Sequence, residues 1–265
     1  MTQSSVRERS PKISERIAIH IAICVSAILG WNLSRAVAVG VYDGFEYGNT
    51  TVNPAWFDAS PGYGENGGIV VDPVRPNNLV WKARAAASTP GAHCMIGTTG
   101  FVPIAWQGFR SSVEILRTAA GLSGSLAVGN SVFQGLDEGF QVSFNSDGAF
   151  SLSEAHRSPP MWVDHPLPMP WNISQVPANQ WLQVSMWHDP ISGLIKADLR
   201  RLSDGYVYVQ NSFTPTRLGG ESPISDLDIT AGSQSWNYLD NPTLTPEPGT
   251  LLLVALGGLA AMRRR

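Results

Sequence analysis

The sequence predicts an all-β chain folded as an antiparallel β-sandwich. Its 265 residues include 26 Gly and 19 Pro, enough to break the chain into many short elements joined by turns. Between residues 40 and 245 no segment sustains helical periodicity over three turns, whereas apolar and polar residues alternate repeatedly. Apolar residues make up 43% and charged residues only 15%, against about 25% in an average globular domain, which excludes a charge-rich disordered chain, a coiled coil and a basic nucleic-acid binder. No repeat of solenoid or propeller spacing is present.

The first element is an address. Arg7, Arg9, Lys12 and Arg16 precede an apolar run of 14 residues from Ile17 to Gly30, and Ala36-Val37-Ala38 follows. A basic start, an apolar middle and a small-x-small exit make a secretory signal peptide of residues 1–38, with Ala36 and Ala38 marking the cut. The alternative is a permanent anchor, but a span needs about 20 apolar residues. Cys24 follows Ile23 and not a small residue, so it does not read as a lipoprotein cysteine.

Residues 39–245 form the predicted sandwich domain. Tyr42 to Tyr47 opens it and Tyr238 to Asn241 closes it, and these first and last strands are expected to lie side by side. Ile69–Val71, Leu79–Arg84, Ser112–Thr118 and Ile224–Thr230 read as strands. Gly139–Asn145 alternates Phe140, Val142 and Phe144 with polar residues, turns at Asn145-Ser146-Asp147-Gly148 and resumes with Phe150 and Leu152, a hairpin. Ser158 to Pro170 holds five prolines in 13 residues and reads as a long extended loop. Such a loop either carries binding or packs Trp162 and Trp171 over a sheet edge.

A three-strand meander follows: Trp181–His188, Leu194–Arg201 and Tyr206–Gln210, joined at Asp189-Pro190-Ile191-Ser192-Gly193 and Ser203-Asp204-Gly205. Leu182, Val184, Met186, Ile195, Ala197, Leu199, Val207 and Val209 share one face, which must be the core side because every strand agrees on it. Trp181, Trp187, Tyr206 and Tyr208 then share the outward face with Gln183, Ser185, Lys196, Asp198 and Arg200. Flat apolar rings separated by polar groups suit the ring faces and hydroxyls of a sugar chain. The plainer alternative is that aromatic cross-strand pairs stabilise the sheet.

Charge changes with trimming. Of 18 basic residues, five lie in the leader and three in the tail, leaving 10; of 21 acidic residues, Glu8, Glu15 and Glu247 lie outside the domain, leaving 18 and a net charge of −8. Such a domain seeks neither nucleic acid nor anionic lipid. Cys94 is its one cysteine, so no internal disulfide forms, and a buried inert thiol is the expected reading. Its four histidines lack metal-ligand spacing, and no nucleophile elbow or phosphate loop is present.

The last element is a second address. Thr245-Pro246-Glu247-Pro248 precedes Gly249–Met262, 14 residues and roughly 21 Å as a helix against about 30 Å of hydrocarbon, and Arg263-Arg264-Arg265 ends the chain. Terminal arginines cross a bilayer only at high cost, so they hold that end in the cytoplasm as a stop-transfer cluster. Pro246-Glu247-Pro248, the short apolar helix and the Arg run over residues 246–265 resemble the PEP-CTERM sorting signal of exopolysaccharide-producing Gram-negative bacteria, a tail also called an ice-binding protein C-terminal domain without implying ice. The resemblance implies export, transient anchoring in the inner membrane, recognition by an exosortase and delivery to the cell surface or matrix.

The meander and the paired first and last strands resemble the concanavalin A-like, LamG-type jelly roll, with a carbohydrate-binding-module jelly roll as the alternative. That class includes retaining glycosidases, whose Glu-x-Asp-x-x-Glu strand is not matched: Val113-Glu114-Ile115-Leu116 has Leu116 at the second acidic position, and Asp226 and Asp228 share a face without a third carboxylate. The expectation is therefore a non-catalytic surface or matrix protein with possible polysaccharide binding; the alternative is an extracellular glycan-degrading enzyme. No cofactor is expected apart from a structural calcium ion between Glu46 and Asp240, if first and last strands bring them together; otherwise both are ordinary exposed carboxylates.

Overall fold

The computed structural model describes residues 41–42, 45, 56–58, 64–85, 94–98, 104, 106, 108–119, 121–130, 138–157, 160–167, 170–216, 223–232 and 235–246. The signal peptide, Glu46, and the apolar span and arginines of the tail lie outside these. Among the described residues no helix is long and apolar enough to cross a membrane.

The strands in chain order are β1 (Val41–Tyr42), β2 (Phe57–Asp58), β3 (Gly64–Val71), β4 (Leu79–Ala85), β5 (Cys94–Thr98), β6 (Phe109–Arg117), β7 (Ser123–Asn130) and β8 (Glu138–Asn145). They continue with β9 (Phe150–Arg157), β10 (Pro160–Pro166), β11 (Gln180–Asp189), β12 (Leu194–Arg201), β13 (Val207–Phe213), β14 (Asp226–Ala231) and β15 (Asn237–Pro246). Sheet I has eight strands in the order β13-β12-β11-β6-β15-β4-β3, with β1 also on β15; sheet II has seven in the order β10-β9-β8-β7-β14-β5-β2. Every pairing between these strands is antiparallel, and the chain crosses between sheets at β1–β2, β2–β3, β4–β5, β5–β6, β6–β7, β10–β11, β13–β14 and β14–β15. This is the antiparallel two-sheet β-sandwich that the sequence predicts. First and last strands do pair, through Val41 with Leu244 and Tyr42 with Thr243.

Alternation builds the core. Leu182, Val184, Met186, Ile195, Ala197 and Leu199 from sheet I are at most 1% exposed, and they meet Leu126, Val128, Val142 and Leu152 from sheet II, all fully buried. Cys94 belongs to the same core. The β8–β9 hairpin turns where Asn145 Oδ1 accepts the Asp147 and Ala149 N–H groups, and Gly148 adopts φ 92°. A Cβ there would lie 2.4 Å from the Trp171 carbonyl oxygen, so glycine is required for Trp171 to close over the turn.

Two sequence expectations need correction. Ser158–Pro170 is not wholly a loop, because Pro160–Pro166 forms strand β10 on β9. Its prolines are tolerated because β10 is the edge of sheet II, with Pro160 and Pro166 at the strand ends. The third meander strand also departs from strict alternation. A bulge between Leu199 and Arg200 sets Val209 opposite Leu199 but Val207 opposite Arg200, so Val207 leaves the fully buried row and is half-buried.

Candidate functional site

The candidate site is the outward face of sheet I, and the register fixes its rows. Gln183 stands between Arg200 and Glu114, with Asp240 beyond Glu114. Ser185 stands between Asp198 and Ser112, and Trp187 between Lys196 and Arg110. Trp181 and Trp187 mark two ends of this face, six residues apart and roughly 20 Å along the strand.

The two tryptophans have different surroundings. Trp181 is 7% exposed and packs with Val80 and Leu116 in a small second apolar cluster, flanked by Val70, Leu202 and Tyr238. The Arg75 guanidinium covers its ring at 4.0 Å. Trp187 is half-buried, with the Arg110 guanidinium 5.2 Å from its ring centroid. Tyr206 and Tyr208 do not join this platform. The bulge turns them toward Arg201, which lies opposite core residue Leu182, and the guanidinium sits 5.3 and 5.7 Å from the two rings. Tyr208 packs on the main core, and Tyr206 meets it edge-on at 5.1 Å.

Sequence reasoning missed the ionic knot beside Trp181. Arg75 Nε donates to Asp72 at 2.6 Å, Nη1 to Glu114 at 3.1 Å and Nη2 to Asp240 Oδ2 at 2.7 Å. Asn78 adds a bond to the same Asp240 oxygen at 2.6 Å. A bulge in β15 after Asp240, with Asn241 at φ 46°, aims this carboxylate, and Asp240 Oδ1 accepts the Asn241 N–H. Thus the carboxylate that the sequence offers to calcium is already bonded to an arginine, while its suggested partner Glu46 lies outside the described residues. The Asp72-x-x-Arg75 spacing is the one local signal for the knot; its other members come from distant strands.

Burial, then repulsion from Glu114, raises the Asp240 pKa to about 6, although Asn78, the Asn241 N–H and Arg75 oppose the shift. Asp72 moves the other way: burial would raise it, but Arg75 and the Val74 and Arg75 N–H groups together outweigh burial and hold it below the ordinary range. An aspartate whose folded pKa is raised stabilises most below its unfolded value and loses that contribution as pH rises through the folded one. The contribution of Asp240 is therefore expected to fall between about pH 4 and pH 6. Urea unfolding of Asp240→Asn should lack the part of the pH slope in that window that the parent shows. Parallel slopes for parent and variant would refute the assignment.

The PEP-CTERM protein-sorting motif matches residues 244–265, which begin inside β15 and continue through the last arginine. No curated protein matches the chain in sequence. Among solved structures, the chain is similar to metal-free lectin I-B4 from Griffonia simplicifolia at 8% identity and TM-score 0.48, covering 78% of this chain and 99% of the lectin. It is similar to a protein of unknown function from Shewanella oneidensis MR-1 at 11% identity and TM-score 0.48, covering 91% and 95%. Arcelin-5, a lectin-like defence protein from Phaseolus vulgaris, matches at 9% identity and TM-score 0.47, covering 78% and 98%.

The strand order defines the class, an all-β antiparallel two-sheet sandwich that continues into a sorting tail. The tail is a PEP-CTERM sorting motif, and it marks an exported, membrane-transiting substrate of an exosortase.

Proposed function

We propose that the protein is a non-catalytic component of the cell surface or extracellular matrix whose sandwich holds polysaccharide on the outward face of sheet I. The reading rests on one observation: half-buried Trp187 stands in a row between half-buried Lys196 and exposed Arg110, with half-buried Gln183 and Arg200 on the same face, while Ser185 and Asp198 between them are buried. A pyranose ring stacks on an indole through its C–H face, while its hydroxyls need donors and acceptors on either side. Export by the sorting tail delivers this face to where exopolysaccharide is found. Trp181 contributes beneath Arg75 by holding the sheet's shape, since it is nearly fully buried.

The test is retention of the protein on the host's own polysaccharide, with Trp187→Ala compared to the parent. A loss of roughly 5- to 150-fold in affinity is expected, on the scale of the about 1–3 kcal/mol that a base stacked on an aromatic side chain contributes. A folded Trp187→Ala protein that binds as the parent does would move the binding face elsewhere. Tyr206→Ala with Tyr208→Ala is expected to change binding little, since those rings face Arg201.

A second reading, an extracellular glycan-degrading enzyme, is favoured by one feature. Glu114 and Asp240 stand directly opposite each other on β6 and β15, and Asp240 has a pKa of about 6. Paired carboxyls with one raised pKa suit acid and nucleophile roles. Against it, Arg75 bonds both carboxylates at once. Scoring new reducing ends in the same polysaccharide screen separates the readings: ends that accumulate with the parent but not with Glu114→Gln would establish the enzyme.

A further inference from the structure

We propose that the glycan held on the outward face of sheet I is an anionic polysaccharide, gripped by Arg110 at Trp187 and by Lys82 at a second subsite around Trp236. The inference rests on the polysaccharide reading above and names the chemical class that this face selects. Lys82 and Arg84 alternate along β4 with buried Trp81, Ala83 and Ala85, so they point outward. Trp236, just before β15, is half-buried against them. Lys82 Nζ lies 4.3 Å from its ring centroid, and the Arg84 guanidinium carbon lies 4.5 Å away. The seat for this ring is the bulge in β3 between Asn66 and Ile69. A Cβ on Gly67 would lie 3.0 Å from the Trp236 ring, so glycine makes the room that the indole occupies.

Pairing separates these cations from their neighbours. Arg75 bonds Asp72, Glu114 and Asp240, while Arg84 bonds Glu65, Lys196 bonds Asp189 and Arg200 bonds Asp198. Lys82 and Arg110 have no carboxylate within ion-pair distance among the described residues, and each lies against a half-buried tryptophan. Among those residues the face holds six cations against six carboxylates, whereas the whole domain is at −8. Charges beyond the roughly 10 Å between the sheets oppose an anion here only weakly, since the Debye length is about 8 Å at physiological salt. An indole takes the C–H face of a pyranose, and a cation beside it takes the acidic group that the sugar carries. Arg110 offers its forked donors to a carboxylate or sulfate, and Lys82 offers a point charge. The two subsites are far apart. The register puts Trp181, Leu116, Tyr238 and Lys82 in one row. Lys82 is therefore about 20 Å along the strands and about 14 Å across them from Trp187, roughly 25 Å in all. Only a polymer reaches both, and the first contact then makes the second intramolecular.

The test measures retention of the full chain, in mild detergent, on immobilised polygalacturonate and on the same polymer with its carboxyls methyl-esterified. The two share rings and linkage and differ in charge. The acid form is expected to bind about 25-fold more tightly, because each of two distant exposed ion pairs contributes about fivefold at most. High salt should erase most of that difference. Arg110→Gln and Lys82→Gln should each lower retention on the acid about fivefold and leave retention on the ester unchanged. Trp236→Ala should weaken both polymers, which a plain surface charge at Lys82 would not predict; should it fail to fold, the two glutamine variants decide. Equal retention of acid and ester, with Trp187→Ala weakening both, would overturn the charge selection and leave the polysaccharide reading intact. If neither polymer is retained, the host's own polysaccharide decides: retention unchanged in Arg110→Gln and Lys82→Gln overturns the proposal. No retention on any of the three removes the polysaccharide reading itself.

Discussion

Replacing Arg263, Arg264 and Arg265 with alanine is expected to abolish retention and trimming of the protein at the membrane. The apolar span before them, Gly249–Met262, is 14 residues long, roughly 21 Å as a helix, and so too short to stay in a bilayer core of about 30 Å on its own hydrophobicity. What stops it is the cost of carrying cations across, about 2.5–3.5 kcal/mol for each arginine at the membrane centre. Three of them make passage negligible; without them the chain follows its exported domain outward. Mass spectrometry of the parent should find surface material lacking the arginines when an exosortase is present, and the intact tail when it is absent. The alanine variant should be found untrimmed outside the cell. Parent protein recovered from the surface still ending in Arg263-Arg264-Arg265 would remove the sorting role.

Where one local pattern repeats on several strands, the sequence is a sufficient guide. Leu182, Val184 and Met186 agree with Ile195, Ala197 and Leu199 about which side is core, and a one-residue slip would expose all of them. The β8–β9 hairpin is equally legible because its turn residues act within four positions of each other. Features set by long-range contact are not legible. The bulge opposite Leu199 is fixed by the Arg201 N–H bonding to the Tyr206 carbonyl across a turn, and Tyr206 to Val209 looks regular without that knowledge. Strand β7, Ser123–Asn130, is built largely of small residues and carries little alternation, so only its place between β8 and β14 makes it a strand. In the site, the aromatic residues and Asp240 are visible as residue types, but their partners are not. Arg75 and Asp240 are 165 positions apart, and nothing local to either announces the other.

That long-range pairing leads to the largest stability effect expected in the domain: Arg75→Ala should destabilise it by about 3 kcal/mol, the lower end for breaking a buried ion pair. The lower end applies because the Arg75 side chain is 33% exposed, while those of Asp72 and Asp240 are fully buried. Removing the guanidinium leaves Asp72, Glu114 and Asp240 without their shared counter-charge and uncovers Trp181. Arg75→Lys keeps the charge but cannot fork to three carboxylates, so it should fall between parent and alanine variant. Adding Asp240→Asn to Arg75→Ala should restore part of the loss, because one of the stranded charges disappears. The deficit should also shrink as pH drops from 7 to 5, since Asp240 has a pKa of about 6 even with Arg75 present and takes up a proton more readily without it. Urea unfolding at both pH values measures all of this. A loss below about 1 kcal/mol, constant with pH, is what an exposed surface pair gives, and it would mean that the knot is solvated and Trp181 holds its place without it.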